Sequence, residues 1–217
     1  MDFKAARQHM VASQVRPNDV TDLRIQRALE AIPRELFLPP ELRVQAYVDR
    51  EIPYAAGRSL ITPRDFAKLL AALEIKPTDL ILDVACGSGY STAVLSLLGE
   101  MVVAVEDDQA LAAKAQQNWS EAGVVNAALV AGEPWRGAPQ QGPFDVIMIA
   151  QAIEIEPKLL LEQLQDGGRL GAVMRRGDVA KGVVWRRSGG VSGWREIFDA
   201  SARVAPAGFT RPKAFVF

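Results

Sequence analysis

Two carboxylates and a pair of glycines are the residues of this chain whose types and spacing could do chemistry. Leu80-Ile81-Leu82-Asp83-Val84 is an apolar run of the length of one buried strand, with Asp83 near its end. Gly87-Ser88-Gly89 follows as a tight turn, and residues 90–98 read as a helix. Strand, glycine turn and helix open a nucleotide-type site. The glycines let a ligand approach the backbone, and the helix start offers unpaired N–H groups. Residues 101–105 read as a second strand that runs into Glu106-Asp107-Asp108, and Glu106 lies 23 positions after Asp83. A carboxylate at the tip of that strand can accept both hydroxyls of a ribose. Each feature also has a plainer reading: glycines placed for steric reasons, and a solvated acidic turn that helps start the next helix. His9, the only histidine, reads as a surface residue of the first helix. Cys86, the only cysteine, excludes an intrachain disulfide and reads as a small side chain inside the turn.

The spacing narrows the ligand. A dinucleotide fingerprint needs a third glycine where Thr92 stands, which speaks against a nicotinamide cofactor. No lysine accompanies the glycines. Asp83-x-x-x-Gly87-x-Gly89 instead resembles the first motif of class I methyltransferases, which bind S-adenosylmethionine, a cofactor without phosphate. Gly132-Glu133-Pro134-Trp135 supplies a carboxylate and an aromatic ring. Either the pair frames an adenine, or Trp135 plugs the sheet edge.

The elements that must position these groups follow from length and pattern. The chain has 217 residues, 49% of them hydrophobic, and a net charge of −1. That suits one α/β domain with an appendage and gives no global drive towards DNA or a membrane. No apolar run has the length of a signal peptide or a membrane span, so a soluble, cytoplasmic protein is expected. Helices are predicted over 3–15, 20–32 and 41–46, and a loop over 52–62. Thr62 should cap a helix with Pro63 at its first position and Asp65 three residues after the cap. Strands over 80–84, 101–105, 127–130, 144–150 and 169–174 alternate with helices, among them 108–122, with Leu111 and Ala115 inward, and 157–165. Then the alternation stops. Residues 183–187 and 193–198 flank Ser188-Gly189-Gly190 as a hairpin, with Arg175, Arg176, Arg186 and Arg187 as solvated edge charges. The apolar end of the chain, 214–217, is expected to lie against the domain. The expected fold is α/β, a doubly wound, mostly parallel sheet of the class I methyltransferase type, with N-terminal helices and a C-terminal antiparallel hairpin. It divides into an N-terminal helical segment and loop (1–62), a cofactor-binding core (63–175) and a hairpin and tail (176–217), all within one compact domain.

Several stretches together are similar to one family, the protein-L-isoaspartate O-methyltransferases. They are Met10-Val11 with Gln14-Val15, Pro33-Arg34-Glu35 with Phe37 and Pro39, Ala46-Tyr47 with Asp49, and Ile52-Pro53. Gly87-Ser88-Gly89-Tyr90, Glu106, Gly132, Pro143-Phe144-Asp145, Pro157 with Leu164, and Gly167-Gly168-Arg169-Leu170 continue the match to about residue 175. The resemblance implies S-adenosylmethionine as cofactor, a protein or peptide carboxylate as acceptor, and no metal, nucleic-acid or membrane partner. It places Asp83, Ala85, Gly87, Ser88, Gly89, Tyr90, Glu106, Asp107, Gly132, Glu133 and Trp135 at the cofactor. An acceptor carboxylate is ionised at pH 7, so methyl transfer needs no general base; alignment and exclusion of water suffice.

The departures bear on the acceptor. The family loop usually reads Gly-Gln-Thr-Ile-Ser-Gln-Pro, whereas this chain has Gly57-Arg58-Ser59-Leu60-Ile61-Thr62-Pro63. Ile61 stands at the family's active-site serine and cannot donate a hydrogen bond. Ser59 and Thr62 offer hydroxyls at neighbouring positions, and Arg58 offers a pairing partner for a carboxylate. Ala85 replaces a glycine of the first motif and Glu133 an aspartate. Ala150-Gln151-Ala152 replaces a threonine followed by alanines. Two further readings therefore stay open: a methyltransferase with another acceptor, and a cofactor-binding protein without turnover.

Overall fold

The local signals in the first third of the chain build a helical layer. The computed structural model describes residues 1–211, so the apolar stretch 214–217 lies outside them. Helix α1 (Phe3–Met10) is capped by Asp2 and continues into a π-turn over Val11–Val15. Helix α2 (Leu23–Ala31) is capped by Asp22, whose carboxylate accepts the Arg24 N–H. Two 3-10 segments, Arg34–Phe37 and Pro40–Gln45, form the connector. The predicted loop 52–62 is instead a small antiparallel hairpin, β1 (Ile52–Ala55) and β2 (Arg58–Leu60). Pro53 and Gly57 disguise it in the sequence; Gly57 has φ 64° and turns the chain. Helix α3 (Pro63–Leu73) starts as predicted, with Thr62 Oγ1 accepting the Asp65 N–H at 3.1 Å.

The apolar runs then form β3 (Leu80–Val84), helix α4 (Tyr90–Leu95), β4 (Met101–Glu106), helix α5 (Gln109–Ala122), β5 (Ala127–Ala131) and β6 (Phe144–Ile153). Helix α6 is a single turn, Lys158–Leu161, rather than the longer helix predicted over 157–165. The Phe144 N–H takes the Gln163 carbonyl, and Leu164 pairs with Phe144, so the sheet draws the chain out of the helix. Strands β7 (Leu164–Arg176), β8 (Val179–Ser188) and β9 (Val191–Ala200) complete the sheet, and turn around Gly189-Gly190 as predicted but with longer strands.

The seven strands run in the order β5-β4-β3-β6-β7-β8-β9, parallel up to β7 and antiparallel from there. Strand order reverses between β3 and β6. In open α/β sheets, ligands bind outside the carboxyl ends of the strands at such a reversal. One hydrophobic cluster joins a sheet face to the N-terminal layer through Met10, Leu29, Phe37, Phe66 and Leu70. The second covers the other face with Phe144, Trp185 and Phe209. In α5 the inward residues are Ala112, Ala115, Asn118 and Trp119, while Leu111 is only half-buried. Alanine-rich helices carry weak apolar periodicity, and Trp119 sets the buried stripe one residue round.

Candidate nucleoside-binding site

The turn after β3 is held from three sides. Gly87 and Gly89 have φ of 58° and 92°, the left-handed region that favours glycine. Asn118 donates to the Ser88 carbonyl and Trp119 Nε1 to the Gly89 carbonyl, both at 2.9 Å from α5. Ser88 Oγ donates to the Phe37 carbonyl of the connector at 2.6 Å. Ala85, where the family carries glycine, also sits at φ 57°. A left-handed alanine costs about 1 kcal/mol or more. Ala85→Gly is therefore expected to raise the unfolding free energy by about 1 kcal/mol, read from the urea midpoint at unchanged slope. A lowered midpoint would contradict this account of the strain.

Asp83 and Glu106 lie at the ends of neighbouring strands and are both buried. Asp83 Oδ2 accepts from Ser91 Oγ and Thr92 Oγ1, each at 2.6 Å, and Oδ1 has no partner among the described residues. Burial pushes the Asp83 carboxyl up to about 7, with the two hydroxyls opposing and Glu106 adding to the rise. Thr92, which departs from a dinucleotide fingerprint, thus serves to hold Asp83.

Glu106 faces the turn. Its Oε2 accepts the Gly87 N–H at 2.7 Å, and its Oε1 accepts the N–H groups of Asp107 and Asp108, each at 3.1 Å. The same two oxygens take Arg58 of β2, Nε on Oε2 at 2.8 Å and Nη2 on Oε1 at 2.6 Å. Arg58 Nη2 also reaches Asp107 Oδ1 at 2.6 Å. Burial works against the Arg58 charge, and pairing with Glu106 and Asp107 more than compensates, raising its pKa. Tyr54 of β1 fills the hollow at the turn: its Oη accepts the Ser88 N–H at 3.1 Å, and a Cβ built on Gly87 would come 2.0 Å from it. Burial pushes the Tyr54 phenol up to about 12, so it stays a neutral hydroxyl. The frame of a nucleoside site is present, but its space belongs to the hairpin. Arg58 stands where a ribose would meet Glu106, and Tyr54 stands where a ligand would approach Gly87.

The remaining residues singled out in the sequence divide by position. The Gly132 N–H donates to the Glu106 carbonyl at 3.1 Å, beside the site and with open space around its Cα. Tyr90 sinks beneath the turn between Phe37 and Phe66, under the guanidinium of Arg34. Glu133 pairs with Arg136 at the surface. Trp135 packs on Gly208 of the segment after β9, where a Cβ would come 2.3 Å from its ring, and under the Arg136 guanidinium. Ile61 is buried, its carbonyl held by Arg34 Nη2 at 2.6 Å. It lines a cavity of about 10 Å³ with Tyr54, Phe66, Cys86, Tyr90 and Gln151, room for at most one water. Thr62 is committed to the helix cap. Ser59 Oγ, with one proton to give, lies between Glu51 Oε1 at 2.7 Å and Gln151 Oε1 at 3.0 Å, and the Gln151 amide pairs with the Ser59 backbone in both directions. Sequence reasoning missed Tyr54 and Glu51. Gln151 stood out as a departure, but nothing in the sequence named Ser59 as its partner.

A family model described as Protein-L-isoaspartate(D-aspartate) O-methyltransferase matches residues 5–188. The chain belongs to the protein-L-isoaspartate O-methyltransferase family. It is 37% identical over 166 residues to a Protein-L-isoaspartate O-methyltransferase of Methanoculleus marisnigri, covering 76% of each chain. It is 35% identical over 204 residues to one of Herpetosiphon aurantiacus, covering 94% of this chain and 90% of that one. The fold is shared with the crystal structure of a putative family member from Plasmodium falciparum in complex with S-adenosyl-L-homocysteine. That likeness has a TM-score of 0.76 at 16% identity and covers 92% of this chain and 97% of the other. Among the described residues no helix is long and apolar enough to cross a membrane, and no cluster of three metal-ligating side chains occurs.

Proposed function

We propose that the chain is an S-adenosylmethionine-dependent carboxyl O-methyltransferase of the isoaspartyl type, acting on a protein or peptide. Family membership carries the reaction class. The observation that carries the cofactor reading is Glu106, fixed at the tip of β4 with its carboxylate turned onto the Gly87 N–H. Asp83, Ala85, Ser88, Gly89, Asp107 and Gly132 stand around the same strand ends and complete the proposed cofactor residues. When bound, the cofactor supplies an electrophilic methyl group. This chain's residues supply the rigid turn, the carboxylate and a buried, water-poor surround.

Ile61 favours a second reading, a methyltransferase with another acceptor. Its apolar side chain lines that small cavity and offers the acceptor no hydrogen bond. Losing one such bond is worth about 1–3 kcal/mol, or roughly one to two decades in rate. At saturating methyl donor, Ile61→Ser is expected to raise methyl ester formation on an isoaspartyl peptide by that amount, measured with radiolabelled donor. Equal, high activity in both proteins would remove the second reading. Calorimetry should also detect S-adenosylhomocysteine and not NAD, and lack of affinity for the former in the native protein and in folded Arg58→Gln alike would overturn the enzymatic assignment.

A further inference from the structure

We propose that Arg58 is a built-in competitor for the nucleoside site: the β1–β2 hairpin holds the site closed, and cofactor enters only as Arg58 leaves Glu106. The inference rests on the cofactor reading above and concerns what stands in its way. An ionised carboxylate has about four lone-pair positions. Glu106 already accepts five N–H contacts, from Gly87, Asp107, Asp108 and twice from Arg58, and its side chain is fully buried. No acceptor capacity remains for a pair of ribose hydroxyls. Three of the five donors are backbone groups of turns that the sheet fixes. Only Arg58 is a side chain, so only Arg58 can leave. Tyr54 of the same hairpin occupies the glycine hollow. One element therefore covers both halves of the site.

The hairpin is anchored at its base, where Ile52 and Leu60 are buried in the core, and its outer end, 54–58, carries the two residues that cover the site. It forms its own two-stranded sheet and shares no ladder with the seven-stranded one. Beyond Arg58 and Tyr54 it is tied to β6 by Gln151, which pairs with Ser59, and to the segment after β9 by Glu51, which accepts the Arg203 and Val204 N–H groups. With Arg58 withdrawn, Glu106 and the adjacent Asp107 face each other unneutralised. The pair therefore stabilises the empty protein and opposes the loaded one.

Opposite signs follow for one substitution. Arg58→Gln restores the family residue. In the full chain it should lower the melting temperature of the free protein by several degrees and tighten S-adenosylhomocysteine binding at least tenfold by calorimetry. A residue that merely supports the fold would weaken both. If folded Arg58→Gln binds no more tightly than the native protein, the competitor role is overturned while the cofactor reading stands. If neither protein binds, both fall together. Hydrogen exchange on the native protein covers the case in which Arg58→Gln does not fold. Added S-adenosylhomocysteine should speed amide exchange across residues 54–58 and slow it at 86–89; slower exchange at 54–58 would overturn the proposal.

Discussion

Arg169→Ala should lower the unfolding free energy by about 3–5 kcal/mol, the range for a buried charge stripped of its partner. The side chain leaves β7 and is almost fully buried. Its Nη2 donates to Asp79 Oδ2 at 2.6 Å and to the Glu74 carbonyl at 2.7 Å, and its Nε donates to the Leu73 carbonyl at 2.6 Å. One guanidinium thus satisfies two carbonyls at the end of α3 that have no partner within the helix. It also neutralises Asp79, whose Oδ2 otherwise accepts only the Lys76 N–H. Truncation leaves a buried carboxylate and two unpaired carbonyls at the join of α3, β3 and β6. Urea unfolding of Arg169→Ala, Asp79→Asn and the double variant separates these contributions. The double variant should lose clearly less than the sum of the singles, because the isolated charge is gone. A loss below 1 kcal/mol in Arg169→Ala, or strict additivity, would contradict this reading.

Much of the frame was legible because it is local. Leu80 to Gly89 states a strand and a turn in ten consecutive residues, and Thr62-Pro63 with Asp65 states a helix start. Glu106 was legible because a strand must end near the site for a carboxylate to reach it. What escaped was set by partners far along the chain. Arg58 reads as a free cation on a loop, available to an acceptor carboxylate. Its partner lies 48 residues on, and only the folded hairpin brings the two together. Trp135 was open between ring stacking and edge packing because Gly208, which decides its position here, follows the last sheet strand. Gln151 was visible as a departure, but an amide side chain that pairs with a backbone has no sequence signature of its own. The residues that close the site are thus the ones that no local pattern could place, although Arg58 and Gln151 already differed from the family's usual loops.

Between pH 4 and pH 7 the native protein should lose stability that Asp83→Asn retains. The Asp83 carboxyl is raised to about 7 against an ordinary value of 3.8, first by burial. A raised carboxyl takes up a proton on folding. Its contribution is therefore fully present below pH 4 and drains away as pH climbs through 7. At about 1.4 kcal/mol per pKa unit, the full span is on the order of 4 kcal/mol, most of it falling between pH 4 and pH 7. Asparagine keeps an oxygen for Ser91 and Thr92 but cannot ionise. Its NH2 would lie where Oδ1 now lacks a partner, and that unmade hydrogen bond costs about 1–3 kcal/mol at every pH. The slope of stability against pH, rather than the stability at any one pH, is therefore the quantity that isolates the titration. Urea unfolding in half-unit steps should give a native curve that falls relative to the variant's by a few kcal/mol across this window. Parallel curves would show that Asp83 ionises in its ordinary range. The apolar walls of β3 and α4 would then be a better host for charge than their burial suggests, and Asp83 would join Glu106 as a second fixed negative charge behind the glycine turn.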